Sequence, residues 1–299
     1  MKYLAAFLWI GMIGLFACQS GDSGSTDKSI EQLETQFAES NTAADAKALL
    51  DAYEAYIEAN PQDVSTNAGY LEKAAQLQLN GKQFQTAADI LLQALRTYHK
   101  APNAPLMAKM LGDIYEKNLA KPALAQTVWQ GMEAGYPNNT VVNLKEKVAG
   151  LPPIQARMDT LLFQMTNMET GQIRFPVANT YLSSAEAYAA IAPKAEETPG
   201  LLYKGGEIAR LIGMFERALD LYEWVEEKYP NYPNASKALF MRAFTLEEDL
   251  KRTEDARALY QLFLQKYPQD DFADDAQILL DNLGKTEEEI LQQFENSSE

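Results

Sequence analysis

Cysteine and histidine are almost absent: the 299 residues hold one of each, Cys18 and His99. No disulfide can form within the chain, and a thiolate zinc site, a Cys-His dyad or a Ser-His-Asp triad has at most one Cys or His to draw on. Positive charge is scarce too. The 26 Lys and Arg face 42 Asp and Glu, a net charge of −16, so a nucleic-acid backbone or an anionic bilayer is repelled along most of the surface. No apolar run reaches the ~20 residues of a membrane-spanning helix, and the alternating β-branched runs of strands are nearly missing. What the chain has in quantity is apolar side chain, 46% of residues, enough to bury a sizeable core.

At the front, Lys2 precedes an apolar stretch from Tyr3 to Phe16, which stops at Cys18 and meets Gln19-Ser20-Gly21-Asp22-Ser23-Gly24-Ser25. A charged start and a short apolar middle make an export signal. Leu15-Phe16-Ala17-Cys18 resembles the lipobox of bacterial lipoproteins, in which a small residue precedes the Cys that is acylated. The resemblance implies a signal peptide over 1–17, Cys18 as the lipidation site with no catalytic role, and a lipidated N-terminus and flexible tether over 18–42. Each buried CH₂ contributes about 0.8 kcal/mol, so several acyl chains hold such a protein to a bilayer. Gln19 is not the Asp that retains proteobacterial lipoproteins at the inner membrane. The outer membrane is therefore expected, with the body facing the periplasm; the cell exterior is the other orientation the sequence allows.

From Ser29 onward apolar residues recur at helical spacing with Pro and Gly between the segments, so the body is expected to be all-α, in helices of roughly 12 to 18 residues. Several segments end alike, at Asn60-Pro61, Tyr136-Pro137, Ala192-Pro193, Tyr229-Pro230 and Tyr267-Pro268, and the last two prolines stand 38 residues apart. That is close to the ~34-residue period of a helix-turn-helix repeat. Gly206, Ala218 and Tyr222 precede Pro230; Ala256, Tyr260 and Phe263 precede Pro268. The pattern resembles the tetratricopeptide repeat. Leu111-Gly112, Tyr115, Ala125, Trp129 and Pro137 form the clearest copy, with its second helix displaced by one residue. Ala87, Leu91 and Ala94 mark another copy, and Tyr53, Tyr56 and Pro61 a half-repeat.

Close helix crossings need Gly or Ala where backbones meet, and an aromatic to fill the wedge beside them. Single hairpins cannot bury their apolar faces alone, so the fold class implied is an α-α superhelix of stacked hairpins. The stretch from Leu151 to Pro193 departs most from the pattern. Gly150-Leu151-Pro152-Pro153 is the expected break between one block, 43–150, and another, 151–299. Gly284 and a Thr286/Glu289 capping box open a C-terminal capping helix with Ile290, Leu291 and Phe294 on one stripe.

No catalytic residue, metal site or cofactor is expected. Gly284-Lys285-Thr286 lacks the earlier Gly of a phosphate-binding loop, where Leu279 stands instead. Asp270-Asp271 and Asp274-Asp275 lack a calcium loop's alternation and suit the opening of a helix. His99 has no nucleophile near it in sequence. The abundant Tyr and Phe fit wedge positions rather than a stacking platform.

In tetratricopeptide repeats one face of each first helix lines the concave groove. By resemblance, the partner-binding residues are Lys109, Asp113 and Glu116; Tyr203, Glu207 and Arg210; and Met241, Thr245 and Glu248. Asp113 stands where a carboxylate clamp would need Asn, so that clamp is not expected. A mixed aromatic and charged groove suits an extended or helical peptide segment. The expectation is a non-enzymatic, lipid-anchored scaffold that docks a protein in the bacterial envelope, in outer-membrane protein assembly or wall and envelope coordination. The rival readings are a lipoprotein that captures a glycan or peptide for an uptake system, and an enzyme working with carboxylates alone, Glu207 with Asp113.

Overall fold

The computed structural model describes residues 29–286, 288, 289 and 292. The leader, Cys18, and Ile290, Leu291 and Phe294 of the expected cap lie outside them. Among the described residues there are fourteen α-helices and no strand, apart from one isolated antiparallel bridge between Thr166 and Ile173. Two compact units divide the chain between Ala55 and Tyr56.

The first unit holds α1 (Ile30–Ser40) and most of α2 (Ala43–Ala59). A capping box starts α1: the Gln32 N–H donates to Ser29 Oγ and the Ser29 N–H to Gln32 Oε1, satisfying two donors that the first turn cannot pair internally. Asn41 ends it in the left-handed region at φ 48°. The Asp45 carboxylate then accepts from Gln36, Ser40 and Thr42, closing the turn between the helices. Helix α1 thus occupies much of the stretch expected to be a tether.

The second unit is a row of hairpins. It begins with α3 (Val64–Asn80) and α4 (Phe84–Tyr98), then α5 (Ala104–Asp113) and α6 (Pro122–Gly135). A short α7 (Leu144–Lys147) precedes α8 (Ile154–Met165) and α9 (Phe175–Ile191). There follow α10 (Thr198–Leu211) with α11 (Phe215–Lys228), α12 (Ala235–Phe244) with α13 (Thr253–Lys266), and a closing α14 (Ala273–Asn282). Two helix pairs, α5 with α6 and α10 with α11, cross where the sequence supplies a glycine on the first helix and an aromatic on the second. A Cβ on Gly112 would lie 2.3 Å from Trp129 Cη2, and one on Gly206 2.5 Å from Tyr222 Cε1. Only glycine lets those rings lie against the backbone.

Second helices end alike. Tyr136, Ala192, Tyr229 and Tyr267 adopt φ between −133° and −120° with ψ of 53° to 58°, each before a proline that disfavours helical backbone in the residue ahead of it. Helices α5 and α12 both finish in a π turn, Ile114–Asn118 and Thr245–Asp249. The Leu119 and Leu250 N–H groups reach back five residues, to the Ile114 and Thr245 carbonyls. The extra residue in α5 accounts for the one-residue displacement of its second helix.

A continuous buried cluster runs from Ala68 to Ala238, so the break expected at Gly150–Pro153 falls inside the second unit. Contacts distant in sequence hold it together. Helix α9 packs on α6 and α4 as well as on α8 and α10, and at Gly135 a Cβ would meet the Ile191 carbonyl oxygen at 2.2 Å. Arg96 of α4 donates to both carboxylate oxygens of Asp220 on α11, at 2.7 and 2.9 Å, and its guanidinium lies 3.9 Å from the Trp224 ring centroid. Leu239 to Leu283 form a second cluster around Phe240, Tyr260 and Phe263.

Candidate docking face

The nine groove residues fall on three first helices, α10 and, with the π turns that follow them, α5 and α12. On α5 the charges are spent locally. Asp113 accepts from Lys109 at 2.5 Å and pairs with Lys117 at 2.9 Å, and Glu116 accepts from Lys147 at 2.7 Å. Burial alone raises the Asp113 pKa, but the two lysine hydrogen bonds outweigh it and hold the carboxyl below its ordinary value. Lys147 also stands 4.8 Å from the Trp129 ring centroid.

On α10, Glu207 is ion-paired with Lys204. Arg210 Nε donates to Asp249 Oδ2 at 2.5 Å and its guanidinium lies 4.8 Å from the Phe244 ring centroid. This contact joins the α10 and α12 hairpins through a charge-assisted bond and a cation-π contact. Asp249 and Phe244 belong to the constellation and were missed in the sequence. Phe244 ends α12 and Asp249 ends the π turn that follows it.

Two of the nine residues do not line an open surface. Tyr203 is 6% exposed, packed 5.8 Å from Tyr222 and 6.4 Å from Tyr232, ring centroid to centroid. Thr245 is fully buried and donates to the Met241 carbonyl at 2.7 Å. Its hydroxyl satisfies the helix behind it and is not free for a partner. Met241 is half-buried, and exposed Glu248 is 3.5 Å from Lys251.

Behind the face sits a set of phenols. The Tyr203 and Tyr222 hydroxyls are buried without a hydrogen-bond partner among the described residues. Burial first, then nearby Glu207, pushes the Tyr203 pKa up; burial, Tyr203 and Glu207 do the same to Tyr222. Tyr260 donates to Glu247 Oε2 at 2.6 Å, and burial raises the Glu247 pKa despite that bond.

The carboxylate pair considered as a catalyst, Asp113 with Glu207, is committed elsewhere: Asp113 pairs with Lys109 and Lys117, and Glu207 with Lys204. Among the described residues no group of three or more His, Cys, Asp or Glu could hold a metal ion, and no helix is long and apolar enough to cross a membrane.

Residues 237–270, from the first turn of α12 to the turn after α13, match the tetratricopeptide repeat family. No curated protein matches the chain. The match and the row of hairpins support a tetratricopeptide-repeat protein, an all-α superhelical class whose general work is binding other proteins.

Proposed function

We propose that this chain is a non-enzymatic, lipid-anchored scaffold of the bacterial envelope, docking a protein segment on the first-helix face of α10 and α12. The observation that carries the reading is the Arg210–Asp249 bridge over Phe244, which joins two hairpins into one surface. Glu207, Met241 and Glu248 flank that bridge, and a mixed face of this kind suits a peptide with basic and apolar side chains. Cys18 with its lipobox-like surroundings supports lipid attachment, and Gln19 supports placement at the outer membrane, facing the periplasm. Roles in outer-membrane protein assembly or in coordinating wall and envelope growth fit such an anchored scaffold.

Two experiments test the proposal. Affinity capture from solubilised envelopes should recover one stoichiometric protein with the wild type and lose it with Glu207→Lys plus Glu248→Lys. Both positions are solvent-accessible, so folding should survive; capture unaffected by the double reversal removes this face as the site. Cys18→Ala should shift the protein from the membrane to the soluble fraction or leave it unprocessed, whereas a wild type without acyl chains contradicts the anchor.

A further inference from the structure

Away from the first-helix face, the second unit has a cleft of about 540 Å³ where the C-terminal ends of α4, α6 and α9 converge. Its walls are Ala101, Pro102 and Pro105 on one side and Ile191, Ala192 and Pro193 on the other, with Ala134 to Tyr136 between them. The polar groups at its edge are basic: His99, Lys100 and Lys194. No Asp or Glu lines it, although acidic residues outnumber basic ones 42 to 26 in the chain. Neither Lys100 nor Lys194 makes an ion pair among the described residues, in contrast to Lys109, Lys117 and Lys147.

From the apolar walls and the basic rim we infer that this cleft binds an apolar group ending in a carboxylate, seated between the part-exposed Pro105 and Pro193 with its charge toward Lys100 and Lys194. The volume falls in the range of small-ligand sites, ~300–1,000 Å³. Charge sign decides the class of ligand. Three helix C-termini each place about half a negative charge nearby and the N-terminus of α5 offsets one of them; Glu133, Glu196 and Glu197 adjoin the lining residues without lining the cleft, so at the rim itself the full charges are those of the two lysines. Burial lowers the His99 pKa first, and Lys100 and Lys194 lower it further, which places all three nitrogens in one field. The Tyr136 hydroxyl donates to the His99 carbonyl at 3.0 Å, fixing the α4 end against the α6 end beneath the rim. The site is distinct from the docking face and does not depend on the scaffold reading.

The test is isothermal titration of the full chain at low salt with two carboxylates and their uncharged forms: N-acetyl-Ala-Leu-Phe as free acid and as amide, and octanoate with octanamide. At least one acid should bind with one-to-one stoichiometry, its amide about tenfold or more weaker, as expected for loss of a charge-assisted contact. Lys100→Gln with Lys194→Gln should weaken the acid by a similar factor with unchanged far-UV circular dichroism, while Lys82→Gln with Lys145→Gln leaves it intact. Binding of the peptide acid identifies a chain terminus as the source, and binding of octanoate a fatty acid; either supports the cleft. Absence of binding by both acids, equal binding of acid and amide, or full affinity in the Lys100/Lys194 variant overturns it.

Discussion

Replacing Gly112 by alanine adds one methyl group where no space exists. The new carbon would lie 2.3 Å from Trp129 Cη2 and 2.6 Å from Cζ2 and Cζ3, against an optimum of about 3.5–4.0 Å. The indole must retreat by more than an ångström, yet it is 2% exposed inside the main core. Overpacking of this kind costs about 1–3 kcal/mol. Alanine's better helix propensity returns about 1 kcal/mol, so Gly112→Ala should destabilise by up to about 2 kcal/mol, a fall of up to about 8 °C in Tm for a unit of this size. Gly69, in the middle of α3, is the internal control: a Cβ there meets nothing within 4 Å, so Gly69→Ala should stabilise by ~0.5–1 kcal/mol. Urea titration followed at 222 nm and differential scanning calorimetry would measure both. Trp129→Phe shortens the side chain below the point of collision, so the double variant should cost about 1 kcal/mol less than the sum of the singles. A Gly112→Ala protein as stable as Gly69→Ala, or strict additivity with Trp129→Phe, refutes the wedge packing.

Other expectations follow from named contacts. Arg96→Met should destabilise by about 1 kcal/mol, because the pair with Asp220 is partly exposed; a double-mutant cycle with Asp220→Asn that shows no coupling removes the bridge. Asp113 has a folded pKa below its ordinary value, so its stabilisation is full above the unfolded pKa of about 3.8 and is lost as pH falls through the folded one. Asp113→Asn should therefore reduce stability at neutral pH and flatten the acid limb of the stability curve; an unchanged limb contradicts the two-lysine account. Burial raises the Asp89 carboxyl, so the folded chain binds that proton more tightly and Asp89→Asn should gain stability at neutral pH, the gain fading below about pH 4. A loss at neutral pH would show that the Asp89 contacts outweigh its burial.

The helical class, the Gly-aromatic crossings and the Pro-terminated second helices were legible because each is set by residues within one hairpin. Gly112 with Trp129, and Gly206 with Tyr222, meet at the expected places. The displacement before Trp129 was visible as a spacing irregularity, although its cause, a π turn, needs backbone geometry. Packing of α4 against α9 and the reach of Arg96 to Asp220 were not legible. They depend on the angles accumulated between successive hairpins, and no local pattern records those. On the docking face, equal spacing along α10 and α12 treated Tyr203 and Thr245 like their charged neighbours. A large ring beside Tyr222 and Tyr232 turns into the core, and a threonine hydroxyl turns back to the carbonyl four residues earlier. Asp249 escaped notice because its partner, Arg210, lies on another hairpin, 39 residues away in sequence.

The most direct examination of the scaffold reading is photo-crosslinking in intact cells, with a photoreactive residue in place of Glu207, Glu248 or, on second helix α13, Arg257. The account predicts one discrete protein adduct at positions 207 and 248 and none at 257. Adducts only at 257, or none at any of the three, would contradict it.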